Sequence, residues 1–201
     1  MKRDKEIKYL VGIDEAGRGP LAGPLALGVF CVSVGNKTFK RFSKGVRDSK
    51  KLNEEQRDEW YEKIQREQEK QDGEVLFAVS FASAEMIDEK GLTFATKFAL
   101  ANALKKLKCQ CHETLVLLDG GLHAPKEYIF QKTIIHGDDI EPIISLASIV
   151  AKVSRDKKMY TLAKKYPEYG FEKHKGYGTK MHYERIEQYG IIEGIHRKRF
   201  L

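Results

Sequence analysis

Four acidic side chains occupy positions from which a metal ion could be held. Asp14 and Glu15 are neighbours at the end of an apolar run that begins near residue 7. Burying two unpaired carboxylates there is costly, and a divalent cation offsets that cost by taking hard oxygen ligands. Asp119 ends a second run, Thr114 to Leu118, and precedes Gly120-Gly121. An acid at the C-terminal end of a strand in an α/β sheet commonly faces a site, although Asp-Gly also makes an ordinary turn. Asp156 follows the three- and four-residue steps of Leu146, Ile149, Val153, Tyr160 and Ala163, which places a carboxylate inside a core-facing stripe. It needs a partner, either Lys152 one turn earlier or a metal at the helix–sheet boundary. Gathered around one point, these four acids would suit Mg²⁺ or Mn²⁺ and phosphodiester hydrolysis. The spacing of Asp14 and Glu15 alone leaves a solvated strand end equally open.

The turn after the first pair contains Gly12, Gly17, Gly19 and Gly23, with Pro20 and Pro24. Gly12 and Gly17 have P-loop spacing, but Arg18-Gly19 stands where Lys-Ser/Thr should follow, so the phosphate lysine and the metal hydroxyl are missing. Gly17, Gly19 and Ala22 match part of a dinucleotide fingerprint. The prolines do not suit the helix that would hold the pyrophosphate, and two acids would repel it. These gaps argue against a nucleotide-dependent oxidoreductase or NTPase. The three cysteines, Cys31, Cys109 and Cys111, are an odd number and argue against a disulfide framework. Cys109-Gln110-Cys111-His112 lacks a second ligand pair for zinc and reads as a surface turn with reduced thiols.

The 201 residues carry 36 Lys+Arg and 29 Asp+Glu, a net charge of +7. The whole excess lies in residues 152–201, with 13 basic and 6 acidic side chains. A basic segment beside a balanced body fits nucleic acid, an anionic membrane or a solubilising surface. Within it, Tyr177 lies between Gly176 and Gly178, near Lys173, Lys175 and Lys180. It could stack on a sugar or base while the lysines hold phosphates, or the loop could simply enter a helix capped by Thr179. His174, His182 and His196 share no ligand spacing and read as structural or phosphate-facing. The longest apolar run, Leu25 to Val34, is too short to span a bilayer, and the N-terminus lacks a signal-peptide apolar core. A cytoplasmic monomer without a membrane partner is expected.

The elements that must position these groups alternate. Residues 7–13, 25–34, 75–82, 114–118 and 131–135 read as strands. Asn53, with Gln56 three residues later, opens a polar helix to Gln71. Residues 93–108 form a second helix with Phe94, Phe98, Ala101 and Leu104 on one row. Ser145 opens a long helix that Pro167 stops, and a last helix runs from Thr179 to Gln188. This order predicts a mixed five-stranded α/β sheet flanked by helices, with a core over residues 1–166 and a basic helical extension over 167–201.

The chain resembles bacterial ribonuclease HII. The ordered motifs are GIDEAGRGPLAGP at 12–24, RDSKKL at 47–52, LLDG at 117–120, ASIVAKVSRD at 147–156, YGFEKHKGYGT at 169–179 and HRKRF at 196–200. The resemblance implies an RNase H-like fold. It implies endonucleolytic cleavage of RNA in RNA–DNA hybrids and nicking at ribonucleotides embedded in duplex DNA, leaving 3′-hydroxyl and 5′-phosphate ends. Asp14, Glu15, Asp119 and Asp156 are matched to the catalytic metal ligands. Gly17, Arg18 and Gly19 are matched to a turn that senses the 2′-hydroxyl, the group that separates RNA from DNA. Tyr177 is matched to a tyrosine that packs on the adjoining deoxyribose, and Lys50 is assigned to substrate binding. Gly121, His136 and Arg199 depart from the residues usual in the family (Asn, Lys and Ser) and bear on substrate contacts.

Overall fold

The structure is a computed structural model and describes residues 6–46, 52–70 and 74–201. Five strands form one sheet: β1 (Tyr9–Ala16), β2 (Leu25–Ser33), β3 (Val75–Ala82), β4 (Thr114–Asp119) and β5 (Phe130–Ile134). Their order is β3-β2-β1-β4-β5. β1 and β2 pair antiparallel, as do β2 and β3. β4 runs parallel to both β1 and β5. The mixed sheet expected from the sequence is present, and β1 extends to Ala16, so Asp14 and Glu15 lie within the strand.

The helices cover both faces. α1 (Lys37–Gly45), α2 (Glu54–Glu69) and α6 (Pro142–Lys165) lie on one side, and α3 (Ala84–Lys90) and α4 (Leu92–Leu107) on the other. A single turn, α5 (Gly137–Ile140), follows β5, and α7 (Phe171–His174) and α8 (Lys180–Tyr189) follow α6. Asn53 and Gln56 form the expected capping box of α2. Pro142 starts α6 three residues before Ser145, because a proline at the first helical position loses no intrahelical hydrogen bond. α1 and α3 were not legible as helices. Among the described residues, no helix is long and apolar enough to cross a membrane.

The expected row on α4 is wrong. Phe94 and Phe98 are 45% and 40% exposed and stack on each other, whereas Ala95, Ala99, Ala103, Leu100 and Leu104 are buried. Val11, Ile13, Leu27 and Val29 already fill the sheet face below, so small residues give the closer packing.

α6 approaches the other face more closely still. A Cβ on Gly12 of β1 would lie 2.1 Å from the Ile143 carbonyl oxygen, and one on Gly28 of β2 would lie 2.4 Å from the Ala147 carbonyl oxygen. The helix therefore rests on bare strand backbone at two points. The segment after α6 returns to the same end of the sheet. An isolated bridge joins Ala22 to His196. Ala22, Met159, Ala163, Tyr169 and Phe171 pack into a small apolar cluster. Gly28→Ala should cost about 2 kcal/mol or more, as an overpacked core does. Urea unfolding measures this, and an unchanged midpoint would show that α6 can move away at no cost.

Candidate active site

The register of β1 and β4 brings the first acids together. Ile13 pairs with Leu118, so the next residues, Asp14 and Asp119, are neighbours at the strand ends. Both share the parity of Gly12 and Leu117 and so face α6. The close seat of α6 brings Ser148 beside Asp14, where its hydroxyl favours the charged carboxylate. Asp119 Oδ1 accepts from the backbone amides of Gly137, at 2.7 Å, and Asp138, at 3.4 Å. These bonds bind the α5 turn to the end of β4 and bring Asp138 into the site. Ser145 Oγ donates to the Asp138 carbonyl at 2.5 Å.

The result is a cleft of about 440 Å³ whose lining includes Asp14, Glu15, Asp119 and Asp138. The Gly17-Arg18-Gly19 turn, Arg57, Lys152 and Tyr177 complete its rim. Burial pushes the Asp14 carboxyl up to about 8, the Glu15 and Asp119 charges add to the rise, and the Ser148 hydrogen bond opposes it. Burial also raises Glu15, against the pull of the Arg18 guanidinium, whose Nη1 donates to Glu15 Oε1 at 3.3 Å. Glu15 Oε2 is buried without a hydrogen-bond partner. Such a group carries an uncompensated desolvation cost. The donor set is therefore all oxygen, costly to ionise and partly unsatisfied.

Two buried arginines fix the glycine turn. Arg197, from the C-terminal segment, donates from Nη2 to the carbonyls of Gly17 and Gly23, each at 2.8 Å. Its Nη1 reaches the Arg18 carbonyl at 3.1 Å. Arg155 of α6 donates from Nε to the Pro24 carbonyl at 3.0 Å, and its guanidinium lies 5.7 Å from the Tyr177 ring centre. Gly17 has φ +90, and a Cβ there would meet Arg155 Nε at 2.0 Å. No side chain fits that position; Gly17 is buried, and Arg18 and Gly19 are the exposed part of the turn.

Of the residues singled out in the sequence, Asp14, Glu15, Asp119, Gly17, Arg18, Gly19 and Tyr177 line this cleft. Asp156 does not. It is buried and takes a 2.9 Å hydrogen bond from Lys152 Nζ, and it lines a separate hollow with Glu54, Arg57 and Tyr160. The helical stripe that made Asp156 look like a ligand is satisfied by an ion pair within the helix. Among the described residues, no three His, Cys, Asp or Glu side chains close around one point. Lys50 lies outside the described residues. Sequence reasoning missed Asp138, Ser148, Arg57, Arg155 and Arg197, and it offered Lys152 as a partner of Asp156 but not as a cleft residue. The rule that found Asp119, an acid ending a parallel strand, reaches Asp138 only if extended to the turn four residues past β5. His174, His182 and His196 are buried, not phosphate-facing.

Comparison with known proteins shows the family and the fold. The family model for ribonuclease HII matches residues 11–201. Ribonuclease HII of Fusobacterium nucleatum is 45% identical over 98% of this chain and 88% of its own length. That of Clostridioides difficile is 45% identical over 98% of this chain and 72% of its own. Ribonuclease H2 of Pyrococcus horikoshii superposes with a TM-score of 0.73 at 28% identity, covering 95% of this chain and 93% of that one. Ribonuclease HII of Archaeoglobus fulgidus, solved in a complex with PCNA, shares the fold with a TM-score of 0.75 at 23% identity, covering 96% of each chain. The chain belongs to the ribonuclease HII family and is a ribonuclease H-type endonuclease.

Proposed function

We propose that the cleft hydrolyses the RNA strand of RNA–DNA hybrids and nicks 5′ of ribonucleotides embedded in duplex DNA, leaving 3′-hydroxyl and 5′-phosphate ends. The observation that carries this reading is that Asp14, Glu15, Asp119 and Asp138 line one cleft beside a glycine turn and an exposed tyrosine. The four acids would hold Mg²⁺ or Mn²⁺. The unsatisfied Glu15 Oε2 and the raised Asp14 carboxyl fit a hard cation. A bound cation of this kind supplies an activated water and charge neutralisation at the leaving oxygen. Asp138 takes the fourth place in this reading, and Asp156 becomes the residue that holds Lys152.

The chain's own groups do the rest. Arg18, Arg57 and Lys152 offer positive charge at the rim for the phosphodiester backbone. The backbone of Gly17-Arg18-Gly19 reads the 2′-hydroxyl, and Tyr177, 43% exposed, packs on the neighbouring deoxyribose. Lys50 adds a substrate contact. The core over 1–166 and the extension over 167–201 act as one unit, since Arg197 shapes the turn that reads the substrate. The setting is the cytoplasm, and the working form is a monomer.

Two measurements test this reading. On a duplex with one ribonucleotide, Asp138→Asn should lower kcat by about 100-fold or more, as loss of a group acting in the transition state does. Asp156→Asn should keep activity within about tenfold. The reverse order would return Asp156 to the metal site.

The second is a pH series without divalent cations. The Asp14 carboxyl is raised in the folded state to about 8 from 3.8. The folded protein therefore binds more protons than the unfolded chain between those values, and stability falls as pH rises through that window. Asp14→Asn should gain stability relative to the wild type, and the gain should grow from pH 5 to pH 8. Taking the difference cancels the histidine contributions common to both. Excess Mg²⁺ should shrink the gain at pH 8 by stabilising only the wild type. A pH-independent gain would contradict the buried-acid argument.

A further inference from the structure

His174, His182 and His196 form a buried cluster beneath the Tyr177 loop. The His174 and His182 rings stack at 4.3 Å between centres, and His182 Nε2 lies 3.2 Å from His196 Nε2. Their hydrogen bonds fix every tautomer. The Ile192 amide donates to His196 Nδ1 at 2.8 Å, so the proton of the neutral ring sits on Nε2. That proton is donated to His182 Nε2, which leaves the His182 proton on Nδ1. His182 Nδ1 then donates to the Tyr177 carbonyl at 3.0 Å. The bonds thus run in one direction, from Ile192 to Tyr177.

His174 holds the other side of the tyrosine. Its Nδ1 accepts from the Gly176 amide at 3.2 Å, and its Nε2 donates to the Tyr169 carbonyl at 2.9 Å. The Tyr177 amide donates to the His174 carbonyl at 2.9 Å. All six ring nitrogens are engaged, so no lone pair is left for a metal. The peptides before and after Tyr177 are both clamped, the second also by the Thr179 amide, which donates to the Tyr177 carbonyl at 2.8 Å, while the ring lies half-exposed at the cleft rim over Arg155. An imidazole suits this work because it presents a donor and an acceptor on opposite sides of a rigid ring.

We infer that His182 and His196, with His174, are positioning residues for Tyr177, and that through it they set the preference for a ribonucleotide–deoxyribonucleotide junction over a uniform hybrid. This rests on the proposed packing of Tyr177 against deoxyribose. The histidines touch no substrate. They determine where the tyrosine ring stands when the duplex arrives.

The test compares kcat/KM on a duplex with one ribonucleotide and on a uniform RNA–DNA hybrid. In His182→Gln the amide takes the Nε2 position, meeting His196 but leaving the Tyr177 carbonyl to the Thr179 amide alone. In His182→Asn the amide takes the Nδ1 position, keeping the tyrosine and leaving His196. His182→Gln should lower the junction preference by about fivefold or more, approaching Tyr177→Ala and adding nothing to it in the double variant. His182→Asn should keep the preference within about twofold, even with an equal loss of thermal stability. Equal losses of preference in both variants, tracking stability alone, would overturn the inference. So would an unchanged preference in His182→Gln while Tyr177→Ala loses it. An unchanged preference in Tyr177→Ala would overturn the reading of Tyr177 and the inference with it. Nitrogen-15 spectra of the wild type give a check free of folding defects: His182 should be the Nδ1–H tautomer and His196 the Nε2–H tautomer, and the opposite assignment would overturn the directed chain.

Discussion

Helix α6 lies on the backbone of β1 and β2 with no side chain between them at Gly12 and Gly28. Much of the site depends on that contact. It carries Ser148 to Asp14 and sets Lys152 over the cleft. It also sends Arg155 to the carbonyls that shape the glycine turn. A helix held a side chain's length away would leave the acids at an open strand end, where water would solvate them. The close seat makes them expensive to ionise, and that expense is what a divalent cation relieves.

The charge distribution follows the same logic. A net +7 lies in the last quarter of the chain, while the cleft holds four acids. Acids alone would repel a phosphodiester, and a basic surface alone would bind one without cleaving it. The C-terminal segment also contributes more than charge. Arg197 is fully buried, and its bonds to Gly17, Arg18 and Gly23 make the last residues part of the turn at the start of the chain. A charged group so buried is tolerated because it is surrounded by carbonyl acceptors.

The sheet was legible from its apolar runs, and so was the acid pair ending the first of them. Strand runs of β-branched residues have few other uses, and two adjacent acids at a buried end need an explanation. α1 and α3 were not legible, because each is short and its stabilisation comes from packing. The helical row that grouped Phe94 and Phe98 with Ala101 and Leu104 ignored what the sheet already filled. Asp156 misled for a physical reason: periodicity reports that a side chain is buried, not which partner it meets, and Lys152 is within reach one turn away. Asp138 was passed over because it follows a short, half-exposed strand. Its place in the cleft depends on backbone bonds to Asp119, which leave no mark in residue types. The three histidines shared no spacing because they come from α7, α8 and the C-terminal segment, brought together only by the fold.

The central claim is that Asp14, Glu15, Asp119 and Asp138 form the cation site. Anomalous diffraction from crystals soaked in Mn²⁺ tests it directly. The account predicts a manganese peak within coordinating distance of these four carboxylates and none at Asp156. A peak bridging Asp156, or an empty cleft at millimolar Mn²⁺, would contradict it.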